Sequence, residues 1–162
     1  MPPIPPAGVL ASLRRSAYFG LGMLVVQNAL GIYVNLYVPL NDTNSYAGVF
    51  PTLFTNAWAA AHVVVGILLF LGALGMVLIG WRTGVRLIRA LTLLSLGAIV
   101  VAAYSGYHFV LETNNAYSFL MEMGFLVAIL STVGMLQYLS GLDQTVAENI
   151  RGSGPGAASA AP

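Results

Sequence analysis

NAWAAAHVVVGILLFLGALGMVLIG, residues 56–80, decides the fold. The stretch carries no formal charge and is long enough, at about 1.5 Å per residue, to cross a hydrocarbon core of about 30 Å as a helix. Ala59, Gly66, Ala73 and Gly80 recur at every seventh position, so one side of that helix is small enough for close packing. His62 lies beside this seam, about 9 Å from the start of the helix. A histidine on the packed side of a membrane helix is a candidate functional residue, because an ionisable group is costly in lipid.

The rest of the chain repeats the pattern. Of its 162 residues 58% are hydrophobic and 7% charged, and the mean hydropathy is +0.84. A soluble domain devotes about a quarter of its residues to charge, so these proportions predict an integral membrane protein, all-α, with one compact domain. Spans of the required length fall at about 16–38, 56–80, 87–111 and 118–140. Residues 1–15 read as a short tail, and 141–162 as a second tail, largely disordered because its end is Gly, Ala, Ser and Pro. With no water at depth to satisfy backbone groups, the spans form a four-helix bundle; a barrel would need alternating polarity, which is absent.

Charge placement gives the topology. Arg14 and Arg15 precede the first span, Arg82, Arg86 and Arg89 surround the turn between the second and third, and Arg151 follows the fourth. All fall on one side of a four-span arrangement, while Asp42 and Glu112 fall on the other. Positive charge favours the inner face, so both termini are expected in the cytoplasm, with the protein multi-pass in the cytoplasmic membrane. Residues 39–55 then form an outer loop. Tyr46, Phe50, Phe54 and Trp58 suit an outer aromatic belt, and Trp81 and Tyr138 an inner one. The chain has no cysteine, which excludes disulfides and thiolate metal sites. A net charge of +1 without clustered lysines gives no footprint for nucleic acid.

Three ionisable groups are expected in the outer leaflet: His62, His108 and Glu122, each on a different span. Asn28, Gly31 and Asn35 share one face of the first span. Ser105 and Glu112 flank His108 and could fix its tautomer. Two neutral imidazoles from facing helices can ligate one iron, and Gly66, one turn from His62, leaves room for a flat macrocycle. In this respect the chain resembles membrane-anchored b-type cytochromes, on the strength of two histidines and a topology. The resemblance implies a haem b held by His62 and His108 in an electron-transfer subunit. It also implies a quinol pool as partner, with Glu122, Ser105 and Asn35 as proton or quinone contacts.

Other readings compete. His62, His108 and Glu122 could instead hold a metal ion, relay protons or bind a small solute entering from outside. Asn, Gln and Ser on inner faces ordinarily serve packing, and His108 could be an interfacial aromatic. The bundle could also be a non-catalytic accessory or assembly subunit, packed by its small-residue faces against membrane protein partners or a second copy of itself. No nucleophile–base set or phosphate loop is present to suggest a hydrolase.

Overall fold

The computed structural model describes residues 6–38 and 46–152. Five helices follow one another: α1 (Ala7–Tyr37), α2 (Tyr46–Phe54), α3 (Ala57–Arg82), α4 (Arg86–Glu112) and α5 (Asn115–Gly152), and among the described residues there is no strand. Four of them, all but α2, are long and apolar enough to cross a membrane. The protein is an integral, multi-pass membrane protein with a helical bundle.

Each turn has a local cause. Asn56 caps α3 by accepting from the amides of Trp58 at 2.8 Å and Ala59 at 3.4 Å, two of the donors that a helix start leaves unpaired. Between α3 and α4 the chain reverses at Gly84, whose φ of +71° is open to glycine at no steric cost. Thr113, at φ 45°, closes α4 in the left-handed region. Asn114 Oδ1 then accepts from the Ala116 amide at 2.9 Å to start α5.

The spanning helices neighbour one another in the ring order α1, α3, α4, α5, and α4 and α5 form the most extensive pair. Their contact is set by Gly124, where a Cβ would stand 2.8 Å from the Ala98 carbonyl oxygen and 3.0 Å from the Ala102 Cβ. The small-residue seam of α3 is used on two sides. Ala59 packs on Val34 of α1 and on Val38 just past its end, whereas Gly80 meets Thr92 of α4. Buried hydroxyls mostly bond within their own helix: Ser105 to the Val101 carbonyl, Ser131 to Val127 and Thr132 to Ala128. Thr132 is also 3.5 Å from the Ser95 hydroxyl, a side-chain link between α5 and α4.

Three expectations about boundaries change. α1 starts at Ala7 rather than near Ser16, because helix-forming residues follow directly on Pro6, and a proline is harmless just ahead of a first turn. α5 runs to Gly152, through most of the stretch expected to be a tail; residues 153–162 lie outside the described residues. Within the expected 39–55 loop lies α2, which buries Val49 against Val110 and Leu111. Asp42 and the side chains of Tyr46 and Phe50 also lie outside the described residues. Phe54 and Trp58 at one end and Trp81 at the other are exposed, as an aromatic belt requires, while Tyr138 packs against the core. At the arginine-rich end, Arg14 pairs with Asp143 and donates to the Leu139 carbonyl, clamping α1 to α5.

Candidate functional site

Away from the arginine-rich end, α1 and α3 approach through a reciprocal exchange of side chains. His62 of α3 lies over Gly31 of α1, with its Cε1 3.0 Å from where a Cβ would be. Gln27 of α1 lies over Gly66 of α3, its Nε2 3.1 Å from the equivalent point. Gln27 and Gly31 are one turn apart, as are His62 and Gly66, and the helices run antiparallel. Each polar side chain therefore fills the space that the other helix's glycine leaves. Between them Gln27 Nε2 and His62 Nε2 are 3.3 Å apart, a hydrogen bond across the seam.

The tautomer follows from chemistry. An amide nitrogen only donates, so His62 Nε2 accepts and the neutral ring carries its proton on Nδ1. Both that Nδ1 and Gln27 Oε1 are buried without a partner, one unused donor and one unused acceptor. Turning the amide over exchanges the roles and leaves the same surplus.

The pair stands at the wall of a cavity of about 550 Å³, inside the range of small-molecule sites. Buried residues of α1 (Gly31, Val34) and α5 (Met121, Phe125) form its inner walls. Leu53 of α2, packed on Val34, Val38 and Ala59, closes the end away from the arginines. The remaining wall includes Ile67 and Phe70 of α3 and Val100 and Tyr104 of α4, which are also exposed on the outside of the bundle. The cavity therefore opens sideways, between α3 and α4, toward the surface that faces lipid. Among the described residues no Asp, Glu, Lys or Arg lines it.

The expected site residues separate. His62, Gly66 and Asn35 line the cavity, and Asn35 Nδ2 donates to Ser118 Oγ at 3.2 Å. His108 does not line it. Its ring lies between Tyr104, at 4.4 Å between centroids, and Tyr117, at 5.1 Å, with Tyr107 edge-on at 5.8 Å. Its Nδ1 is 3.3 Å from Glu112 Oε1. Glu112 thus holds His108 as expected, but Ser105 does not, because it is fully buried and bonded to its own helix. Glu122 lies outside the cavity lining and makes no hydrogen bond or ion pair with the described residues. Among the described residues no three His, Cys, Asp or Glu side chains stand close enough to hold a metal ion, so the His62, His108 and Glu122 ligand set is not gathered.

Gln27 is the cavity-lining partner of His62 that the sequence does not single out. In the sequence pattern it reads as a packing amide, and the face that the spacing marks, Asn28, Gly31 and Asn35, is offset from the one that lines the cavity, Gln27, Gly31, Val34 and Asn35. The available signal was the glycine one turn after both Gln27 and His62. Comparison with known protein families, characterised proteins and solved structures finds no match for this chain.

Proposed function

We propose that this protein binds a neutral, ring-bearing lipid alcohol of the quinol class, taken from the bilayer through the α3–α4 opening, with the hydroxyl held by Gln27 and His62. The observation that carries this reading is the uncharged cavity, open to the lipid-facing surface and polar at one wall. An apolar lining favours an apolar body, and an unused donor beside an unused acceptor matches a hydroxyl, which both accepts and donates. Leu53 across the far end argues for access from lipid rather than from water. By the positive-inside rule the arginine-rich end is cytoplasmic, so the cavity belongs to the outer half of the cytoplasmic membrane.

Haem b is the second reading, favoured by one observation, the imidazole of His62 on the cavity wall. The residues fit it in part only. Iron needs a bare ring nitrogen, and Gln27 occupies one while the other carries the proton. The haem propionates would find no cation in the lining, and His108 would have to leave its tyrosines to supply a second ligand. In that reading His62 would be the ligand and the group would supply one-electron chemistry to a redox partner.

The test is quenching of protein fluorescence by a short-chain quinol analogue, titrated into the purified protein in detergent. Saturable quenching is expected for the native chain. Ala103→Trp, at an exposed wall position where the added ring costs no packing, is expected to weaken binding at least about tenfold. Quenching that never saturates, or that Ala103→Trp leaves unchanged, would remove the quinol reading and favour a cofactor-free accessory subunit. A sharp reduced-minus-oxidised band in protein purified with ample haem, lost in His62→Ala, would establish haem instead.

A further inference from the structure

We propose that the turn between α3 and α4 binds the phosphate of an anionic phospholipid in the leaflet at the arginine-rich end. Arg82, Arg86 and Arg89 fall within this one hairpin, and no carboxylate among the described residues pairs with any of them. The contrast is Arg14 at the same end, whose Nε is likewise buried without a partner but whose charge Asp143 neutralises. Arg89 folds back from the third span so that its guanidinium carbon is 6.0 Å from the Trp81 ring centre. Its Nε is buried and has no hydrogen-bond partner. The charge is thus held at the depth of an exposed tryptophan, which is the depth of lipid headgroups.

A buried guanidinium N–H without an acceptor needs an oxygen brought from outside the chain. The same turn presents the start of α4, where no side chain caps the helix and the first turn holds no acidic residue. Its unpaired amides add to the positive field. A partner must therefore supply several acceptor oxygens, carry net negative charge and reach the site from the membrane interface. A phosphodiester headgroup without a compensating ammonium meets all three conditions. A zwitterionic lipid would bring a cation to a site already carrying three.

The test is native mass spectrometry of the full chain in detergent, after exchange with phosphatidylglycerol or phosphatidylcholine at equal mole fraction. Retention of phosphatidylglycerol over phosphatidylcholine is expected for the native protein and for Arg15→Gln. Each guanidinium of the turn that reaches the anionic headgroup is worth roughly fivefold in affinity. Arg89→Gln alone should therefore lose about that much retention, and the triple Arg82→Gln, Arg86→Gln, Arg89→Gln variant nearly all of it. Because the triple variant can also disturb insertion, Arg89→Gln serves as the deciding comparison. Equal retention of both lipids by the native chain, or no loss in Arg89→Gln, overturns the proposal. Full displacement of the lipid by inorganic phosphate overturns it in favour of a free-anion site.

Discussion

Gly124→Leu is expected to abolish the native pairing of α4 and α5. The position leaves no room for relaxation, because the first atom a side chain adds would stand 2.8 Å from a backbone oxygen, Ala98 O, and 3.1 Å from the Ala102 amide nitrogen. Backbone cannot swing aside as the end of a methionine can, so the two helices must separate. In this bundle that contact is the most extensive one. Even Gly124→Ala should cost about 1–3 kcal/mol, the usual penalty for an overpacked interior. Membrane helices gain little from expelling water and depend on close packing instead. Gly134→Ala is the matched control: its Cβ would meet only Leu91 Cδ2, at 4.0 Å. Helix propensity should make it neutral or slightly stabilising. Thermal unfolding in detergent, followed by near-ultraviolet circular dichroism of the tyrosines, measures both. A Gly124→Leu protein that melts with the native chain would mean that α4 and α5 do not meet at this point.

Why the bundle was readable and the site was not has a physical origin. Span number, helical state and the common end of the arginines depend on one-dimensional quantities: the length of apolar runs and the placement of charge between them. α2 escaped notice because its nine residues include Pro51 and follow a run of turn formers. Its stability comes from burying Val49 against α4, a contact that no local pattern encodes. α5 outran its apolar window because the segment 141–152 is helical without being apolar, so hydropathy ends where the helix does not.

For the site, the helix carrying each group was legible and its rotation was not. Of His62, His108 and Glu122, expected at one depth, only His62 lines the cavity. About 100° per residue separates neighbours on a helix, so a residue next to the right one points elsewhere. That is why Gln27 rather than Asn28 meets His62, and why Tyr107 rather than His108 lines the cavity from α4. His108 has its own explanation, being enclosed by three tyrosines and held by a carboxylate one turn on.

Gln27→Leu and His62→Leu are expected each to weaken binding of the quinol analogue about tenfold, and together to weaken it little further. Non-additivity follows from the geometry, because either substitution removes the hydrogen bond that orients the other partner. The effect on folding should be smaller. Interhelical hydrogen bonds in membranes average about 0.6 kcal/mol and reach about 1.7 kcal/mol, so the coupling in a thermal double-mutant cycle should fall in that interval. The dimethyl ether of the same quinol decides whether a hydroxyl is what the pair recognises. It keeps the ring and most of the shape but cannot donate, so it leaves the pair's unused acceptor unanswered, a loss specific to a buried polar site. The native protein should bind it about tenfold less tightly than the quinol, and the double leucine variant should bind the two alike. A native protein indifferent to methylation, with Ala103→Trp still blocking both compounds, would keep the cavity as the binding site and take the hydroxyl out of its recognition.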